Sequence, residues 1–533
     1  DQGRDRTAHN RRRVLCVFPR YVRSFGTMHH AYPLLGRVRA FMPPQGLLVV
    51  ASYLPRSWEV RFVDENRAPA KARDYRWADA VFVSGMHVQR ERIIEINRKA
   101  HAFGKLTVLG GPSASASPEW YPDFDIIHSG ELGDATDALI ERLDASVERP
   151  KTQEVYTTSE RLPLEAFPTP AYETIRLRDY FLASVQFSSG CPFTCEFCDI
   201  PELYGRAART KTPEQVTREL DLMLERGNPG AVYFVDDNFI AHRRKATELL
   251  EHLVEWQAAR GYPVKFACEA TLDLAQKPQI LELMREAYFC TVFCGIETPD
   301  DEGLDWIRKS QNKREPILES VERINSYGIE VVSGIILGLD TDTPETGERL
   351  VRFIERSSIP MLTINLLHAL PRTPLWRRLE EEGRIVHLPG RESNVEFLLP
   401  YDEVEAMWRE SIREAFRPEA FFDRFDHQVE HTYPNRKQLP VTRARLNAGN
   451  ILRAISILAR VFWHVGLRSH YRRRFWRTAL PNLRKLKIEE VIHGAVVGHH
   501  MIRFAEDCLN GTAERSFYSP APQNAAVGEL AKE

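Results

Sequence analysis

The chain has 533 residues, of which 43% are hydrophobic, and its formal net charge is −2 at pH 7. This length exceeds what one hydrophobic core serves, so we expect roughly two to four globular domains. The polar, basic N-terminus lacks an apolar signal segment, and eight cysteines favour a reducing, cytoplasmic compartment over a disulfide framework. Without a run of about 18 uncharged apolar residues, the sequence predicts no membrane-spanning helix.

Residues 1–12 are predicted to be a flexible tail, and residues 13–144 a Rossmann-like α/β domain. Short apolar runs alternate there with amphipathic helical segments, which is typical of a parallel sheet covered on both faces. The expected strands are 14–18, 59–63, 80–83, 106–109 and 125–127. Such sheets bind ligands at the carboxyl ends of their strands. The candidate binding residues at these ends are Asp64, Ser84, Met86, His87, Gly110, Gly111, Gly130 and Glu131.

A proline-rich linker is predicted over residues 145–182, followed by a second α/β unit over residues 183–390. Its six expected strands are 183–187, 231–235, 264–268, 291–294, 331–336 and 362–367. Six successive strand–helix units predict a partial (β/α)6 barrel, whose active site would lie at the C-terminal ends of the strands. Residues 391–533 are predicted to form a helical, basic C-terminal domain.

Three cysteines follow the first barrel strand at the spacing C-x3-C-x2-C, namely Cys191, Cys195 and Cys198. Three thiolates on one loop can hold three irons of a [4Fe–4S] cluster and leave the fourth iron open for chemistry. A structural zinc site needs a fourth protein ligand, and the nearest histidines, His128 and His242, lie far away in sequence. A disulfide would leave the third cysteine unexplained. The pattern therefore favours the cluster.

This cysteine loop, with an aromatic residue at Phe197, on the first strand of a six-unit barrel resembles the radical S-adenosylmethionine (SAM) superfamily. The resemblance implies that the open iron chelates SAM and that an electron from an external donor cleaves it reductively. Polar residues after the second to fourth strands would contact the SAM amino group, methionyl part and ribose, and a Gly-x-Ile-x-Gly element on the fifth would pack on adenine. The implied SAM-binding residues are Asp236, Asp237, Asn238, Glu269, Glu297, Gly334 and Gly338.

Three further cysteines, Cys268, Cys290 and Cys294, raise the question of a second cluster. Cys290 and Cys294 have the same parity on one predicted strand, so their side chains would share a face. Free cysteine is among the most buried residue types, and the neighbours of these three are apolar. We therefore assign them to the hydrophobic core.

An α/β domain ahead of such a barrel resembles the cobalamin-binding class of the superfamily. Gly110-Gly-Pro112 and Ser129-Gly-Glu131 resemble nucleotide-loop elements of that class, although an ordinary doubly wound domain has similar glycine turns. The Asp-x-His-x-x-Gly motif that supplies a histidine to cobalt elsewhere is absent from residues 19–26. The resemblance then implies cobalamin without a histidine from that loop, with Met86 or His87 as the residues able to approach the lower face of cobalt.

The segment from Arg436 to Ile488 contains 14 Lys and Arg residues and no Asp or Glu. It includes an apolar helix interrupted by Arg453 and Arg460, followed by an arginine- and aromatic-rich stretch over residues 471–477. Arginine mixed with aromatic residues suits peripheral contact with a membrane. A helical cap with a solvated basic face is equally consistent with the pattern. We expect no nucleic-acid partner, because the segment has no recognition motif for one.

Together with Met42-Pro-Pro-Gln-Gly46, these features resemble the subgroup that includes hopanoid C-2 methylases, whose substrates are lipids. The resemblance implies a cobalamin-dependent radical SAM C-methyltransferase acting on an unactivated carbon of a lipid or other hydrophobic substrate. One SAM would methylate cob(I)alamin, and another would yield the 5′-deoxyadenosyl radical that removes hydrogen from the substrate. Rearrangement, cyclisation or oxidation without methyl transfer is the alternative with the same cofactors. A membrane-bound binding protein that kept the fold is the non-enzymatic alternative.

Overall fold

The computed structural model describes residues 10–388, 391–438, 440 and 448–514. Its N-terminal unit is a six-stranded parallel sheet in the order β2-β1-β3-β4-β5-β6. The strands are β1 (Arg13–Phe18), β2 (Glu59–Asp64), β3 (Ala80–Ser84), β4 (Leu106–Gly110), β5 (Ile126–Ser129) and β6 (Glu154–Thr157). The five predicted strands are confirmed. The sixth lies within the segment predicted as linker, because its half-exposed edge position requires no apolar run.

Helices cover both faces of this sheet, as alternating burial along β1 shows. Val14 and Cys16 pack into the larger hydrophobic core, and Leu15 and Val17 pack into a smaller core on the opposite face. This is why the strand is continuously apolar. The helices of this unit are α1 (Tyr32–Leu35), α2 (Gln45–Tyr53), α3 (Ala72–Trp77), α4 (Arg90–Ala102), α5 (Pro112–Ala116) and α6 (Asp134–Ala145).

The second unit is an open parallel sheet of six strands in the order β14-β13-β12-β11-β10-β7, which is the predicted partial barrel. A short antiparallel pair, β8 and β9, flanks the cysteine loop. The strands are β7 (Ala183–Val185), β8 (Ser188–Ser189), β9 (Arg209–Thr210), β10 (Ala231–Phe234), β11 (Lys265–Glu269), β12 (Phe289–Glu297), β13 (Glu330–Leu337) and β14 (Leu362–Leu366). The helices are α7 (Ile200–Leu203), α8 (Pro213–Glu225), α9 (Arg243–Ala259), α10 (Pro278–Glu286), α11 (Asp301–Trp306), α12 (Ile317–Ser326), α13 (Thr346–Ser357) and α14 (Pro374–Glu381).

The C-terminal unit is helical, as predicted. Its helices are α15 (Tyr401–Phe416), α16 (Pro418–His427), α17 (Ala448–Val461), α18 (Arg472–Arg484) and α19 (Ile488–Asn510). Helices α16 and α19 approach closely, because a Cβ at Gly494 or Gly498 would lie 2.5 or 2.6 Å from the ring of Phe425 or Phe421. Helix α19 also packs Phe504 against Phe25 of the N-terminal unit, with ring centroids 4.7 Å apart. The C-terminal unit therefore packs against the N-terminal unit.

Helix α17 continues through a wider π-helical turn over Phe462–Leu467. The combined helix, Gly449–Leu467, is long and apolar enough to cross a membrane by length and composition alone, and only 17% of its apolar window is buried. This corrects the prediction that no segment could span a membrane. Two arginines within the helix do not lower its mean hydropathy enough to exclude it as a candidate. Residues 1–9 of the predicted tail, and residues 439 and 441–447 of the basic segment, lie outside the described residues.

Candidate active site

The cysteine loop connects the hairpin strand β8 to α7, at the mouth of the barrel. Its three cysteines are free thiols and partly buried. The loop begins at Gly190, whose φ of +93° and close approach to the carbonyl oxygen of Gly205 leave no room for a Cβ. The amide of Cys198 donates to the carbonyl oxygen of Cys195 at 3.2 Å, which tightens the turn. Burial, and then the charges of Asp199 and the other two thiols, raise the pKa of Cys198. Three thiols on one loop are a donor set that fits a [4Fe–4S] cluster.

Contacts from the far side of the barrel hold the loop. The buried carboxylate of Glu196 pairs with Arg378 of α14, with Nε and Oε1 2.9 Å apart. The side-chain amide of Gln311 donates to Sγ of Cys195 at 3.4 Å, and Lys309 lies over the ring of Phe197 at 5.7 Å. Gln311, Lys309 and Arg378 were not predicted from the sequence. They lie more than 100 residues beyond the loop in sequence, and no local pattern indicates such contacts.

The predicted polar residues after the second barrel strand contact the loop directly. Asp236 accepts hydrogen bonds from the amide of Phe187 at 2.7 Å and from the hydroxyl of Ser188 at 3.0 Å. Asp237 accepts one from the amide of Gly190 at 2.9 Å. Burial raises the pKa of Asp236 to about 7 and that of Asp237 to about 6. Both carboxylates therefore position the backbone that enters the cysteine loop.

Asn238 lies beside them. Its side-chain amide donates to the hydroxyl of Thr271 at 3.3 Å, and its side chain also hydrogen-bonds Cys191. Asn238 thus connects the second barrel strand to one of the three thiols.

Two glutamates from the third and fourth barrel strands face the same mouth. Glu269 accepts a hydrogen bond from the hydroxyl of Tyr233 at 3.2 Å, and burial raises its pKa to about 7. Glu297 has a φ of +67° at a β-bulge, and its carboxylate pairs with the buried ammonium of Lys309 at 2.5 Å. Carboxylates held in this way can bind an ammonium group or ribose hydroxyls. Their chemical type is suited to SAM, and their assignment as SAM contacts stays a prediction.

The two glycines of the fifth barrel strand differ in their surroundings. A Cβ at Gly334 would lie 3.3 Å from the ring of Phe293 and 3.9 Å from the carboxylate of Glu297, so Gly334 lies beside Glu297, and its contact with adenine stays a prediction. Gly338 has a φ of +95°, and the ring of Phe397 covers it so closely that a Cβ would lie 2.5 Å away. The close packing of Phe397 therefore explains why a glycine occupies position 338.

A cavity of about 410 Å³ lies between the carboxyl edge of the N-terminal sheet and the barrel mouth. Its barrel side includes Asp237 and Ser189, which flank the cysteine loop. Of the predicted cobalamin-binding residues, the cavity is lined by Ser84, Met86, Gly110, Gly111, Gly130 and Glu131. Further lining residues that the sequence analysis did not identify are mainly apolar, among them Phe18, Val49, Val50, Leu54, Val108 and Leu139. A mainly apolar cavity with a rim of small residues fits the close approach of a large ring.

Two of these glycines are required by the backbone. Gly111 has a φ of +89°, and a Cβ there would lie 2.4 Å from the hydroxyl oxygen of Ser84. Gly130 has a φ of +106°, and a Cβ there would lie 2.9 Å from Cβ of Thr158. His128 is the histidine in the lining, and its Nε2 lies 2.9 Å from the hydroxyl of Thr136. Burial lowers the pKa of His128 to about 4, so the ring is neutral at pH 7.

Asp64 and His87 lie outside this lining, unlike the other predicted residues of the N-terminal unit. Asp64 ends the edge strand β2 and accepts a hydrogen bond from the hydroxyl of Tyr180 at 3.0 Å. His87 is buried, with Nδ1 3.0 Å from the hydroxyl of Ser113 and its ring edge-on to Trp120. Burial lowers its pKa to about 4. Strand-end position alone places both residues near the cavity, but their side chains turn into the protein.

Glu131 joins the two units. Its carboxylate pairs with Arg209 of β9 at 2.5 Å and accepts a hydrogen bond from the hydroxyl of Ser189 at 3.1 Å. Arg161 lies 3.4 Å from the same carboxylate. Ser189 and Arg209 belong to the hairpin that leads into the cysteine loop, so Glu131 fixes the N-terminal sheet against that loop.

Comparisons with known proteins agree with this geometry. Residues 185–354 match the radical SAM superfamily, and residues 373–514 match a domain of unknown function, DUF4070. The chain is 57% identical to a hopanoid C-2 methylase of Rhodopseudomonas palustris over 516 residues, covering 97% of this chain and 98% of that protein.

Two solved structures share the fold at low sequence identity. The cobalamin-dependent SAM radical enzyme OxsB, with aqua-cobalamin and SAM bound, aligns with a TM-score of 0.58 at 15% identity, covering 95% of this chain and 83% of that one. The radical SAM methyltransferase TsrM of Kitasatospora setae, with cobalamin and a [4Fe–4S] cluster bound, aligns with a TM-score of 0.54 at 15% identity, covering 91% and 99%.

The fold and the cysteine site define a radical SAM methyltransferase. The chain belongs to the family of hopanoid C-2 methylase, within the radical SAM superfamily. The radical SAM match confirms the predicted [4Fe–4S] cluster and SAM for the family. Cobalamin, the third predicted cofactor, is bound in both solved structures that share the fold.

Proposed function

We propose that this enzyme transfers a methyl group to an unactivated ring carbon of a hopanoid lipid. The observation that carries the proposal is the cavity that runs from the glycine-rich edge of the N-terminal sheet to Asp237 beside the cysteine loop. A methyl carrier on one side and a radical source on the other would then face the same space. The identity to a hopanoid C-2 methylase over nearly the whole chain supports the choice of substrate.

When bound, the cluster would cleave SAM reductively to start radical chemistry, and cobalamin would carry the methyl group. The three cysteines would bind three irons, and the backbone contacts of Asp236 and Asp237 would keep the loop in place. Glu269 and Glu297 would orient SAM by its ammonium and hydroxyl groups. The apolar wall of the cavity would exclude water from the substrate radical. Hydrogen-atom abstraction by a radical requires no general base.

A lipid substrate has to reach the cavity from a membrane, and the C-terminal unit presents a surface suited to that purpose. We call it the apolar stripe: Leu452, Ile455, Trp463 and Leu467, which follow one another along α17 and its π-helical turn at nearly helical spacing. Between 54% and 66% of each of these side chains is exposed. The side chains at Val461 and Val465 are buried, so the helix faces its apolar stripe outward.

Cationic residues accompany the apolar stripe on α17, on α18 and directly after each of these helical segments. Exposed members include Arg453, Arg468, Arg473, Arg477, Arg484 and Lys485. A large exposed apolar patch with basic neighbours is complementary to an anionic lipid surface. Each arginine or lysine near such a surface contributes about 1 kcal/mol, and burial of one apolar side chain contributes about 1.5–3 kcal/mol. Peripheral binding to anionic membranes, at the cytoplasmic side predicted from the sequence, is therefore part of the proposal.

Methyl transfer is tested with SAM carrying a deuterated methyl group. Protein reconstituted anaerobically with iron, sulfide and cobalamin is incubated with a hopanoid in detergent, and products are analysed by mass spectrometry. We expect a hopanoid heavier by one labelled methyl group, together with 5′-deoxyadenosine. Cys195→Ala should abolish both products, whereas Cys290→Ala, a half-buried cysteine on β12, should retain both.

An altered hopanoid without label would favour rearrangement, cyclisation or oxidation. Labelling confined to metabolites that are not lipids would overturn the substrate class but leave the methyltransferase intact. A protein that releases no 5′-deoxyadenosine under any condition would instead be a binding protein.

Membrane contact is tested by sedimentation with vesicles of phosphatidylglycerol and phosphatidylcholine. We expect Leu452→Ser combined with Trp463→Ser to weaken vesicle binding at least tenfold. Leu398→Ser, a control at an exposed leucine outside α17 and α18, should leave binding unchanged. Equal binding of all three proteins would refute the apolar stripe as the contact. Methylation of detergent-dispersed substrate by the double variant separates membrane docking from catalysis.

A further inference from the structure

A second group of metal-ligating side chains lies outside the cysteine loop, where α19 packs against the N-terminal unit. His29 and His30 form a short turn after β1, and Asp507 lies in the last turn of α19. One ligand atom from each of the three lies within 4.8 Å of the others. The enzyme's proposed function does not use this group.

The hydrogen bonds around His29 determine which ring nitrogen has a lone pair. The hydroxyl of Thr27 donates its single proton to the carbonyl oxygen of Ser24 at 2.9 Å. The same hydroxyl lies 3.1 Å from Nδ1 of His29, so Nδ1 is the donor in that contact. Nε2 is then unprotonated, and it is buried without a hydrogen-bond partner among the described residues.

The other two members each have a ligand atom within 4.8 Å of a ring nitrogen of His29. Nε2 of His30 is 2.7 Å from the carboxylate of Asp507, and the two side chains are 23% and 26% exposed. The rings of His29 and His30 are 4.2 Å apart. His500 of α19 orients the turn, because its Nδ1 accepts a hydrogen bond from the amide of His30 at 3.4 Å and its Nε2 lies 2.9 Å from the carbonyl oxygen of Phe25.

We propose that His29, His30 and Asp507 bind a Zn²⁺ ion in an open site with three protein ligands. Two imidazoles and one carboxylate are a zinc ligand set, and partial exposure of two ligands leaves the fourth position to water. The unpartnered nitrogen of His29 and the second-sphere contacts of Thr27 and His500 are what such a site requires. The ion would fasten the turn after β1 to α19 across 477 residues of sequence.

The test uses the full-length enzyme with its cluster reconstituted, and Zn²⁺ alone as the probe. After incubation with one equivalent of Zn²⁺ and gel filtration, zinc and iron per chain are measured by mass spectrometry, and the melting temperature is recorded. We expect about one tightly bound zinc and a higher melting temperature in the wild type. His29→Gln and Asp507→Asn should each weaken zinc binding by at least about 100-fold, since even second-sphere changes cost up to that factor.

Two controls make the outcome decisive. Cys195→Ala should retain the zinc, which separates this site from adventitious binding by the cysteine loop. His431→Gln, at a histidine of the C-terminal unit outside the group, should also retain it. Asp507→Asn preserves side-chain shape, so a folded variant is available even if His29→Gln is unstable. Wild-type enzyme without retained zinc, or zinc retained equally by both ligand variants, would overturn the proposal.

Discussion

Replacement of Glu269 at the barrel mouth by Gln is expected to stabilise the folded protein and to weaken SAM binding. In Glu269→Gln the hydrogen bond from Tyr233 can persist, and the side chain keeps its shape, but its negative charge is lost. Burial raises the pKa of Glu269 from its ordinary value of 4.5 to about 7. The protein without ligands therefore holds a carboxyl group that resists ionisation.

The sign and size of the effect follow from this pKa. Above pH 4.5 the carboxyl is ionised in the unfolded chain, whereas the folded protein keeps it protonated until the pH approaches about 7. Its burial therefore disfavours folding increasingly across that window and by a constant amount above it. We expect Glu269→Gln to raise the free energy of unfolding by about 3 kcal/mol at pH 8, about 1 kcal/mol at pH 5.5, and almost nothing at pH 4.

Urea titrations of the cofactor-free protein at these three pH values measure the difference, with Glu251→Gln on the exposed side of α9 as the control. SAM should bind the variant at least about tenfold more weakly, because hydrogen bonds to charged groups contribute about 1.5–3 kcal/mol. A stability difference that does not change with pH would refute the burial argument. Unchanged SAM affinity would instead refute the assignment of Glu269 to the SAM site.

Three further predictions concern the junction of the units and the loop. Glu131→Gln removes the charge paired with Arg209 and should lower the free energy of unfolding by about 2 kcal/mol in urea titrations, with cobalamin bound less tightly in equilibrium dialysis. Gly111→Ala should lower the free energy of unfolding by more than about 2 kcal/mol in urea titrations. Gly104→Ala, at positive φ but in open space, should lower it by only about 1 kcal/mol. Asp236→Asn leaves a buried donor poorly paired, costs about 1–3 kcal/mol and should reduce iron per chain after reconstitution; unchanged iron would contradict its role in holding the loop.

Local pattern was sufficient for the strands and for the cysteine loop. Apolar runs of buried parallel strands, such as β1 and β12, are visible in any single segment, and three cysteines within eight residues lie close together in any fold. The edge strand β6 lacks such a run, because one side of it needs no burial. The two arginines of α17 argue against a membrane-spanning helix, whereas its length and mean hydropathy are sufficient for one.

The sequence by itself determined the class of chemistry, because metal-ligand spacing and strand periodicity are local properties of the chain. Tertiary structure alone decided which strand-end residues share a space. Asp64 and His87 lie at or just after strand ends, as Ser84 and Gly110 do. Their side chains nevertheless turn into the protein, whereas Ser84 and Gly110 line the cavity. It also brought Asp507 to His30, since contacts between distant segments depend on how whole units pack, and no periodicity records that packing.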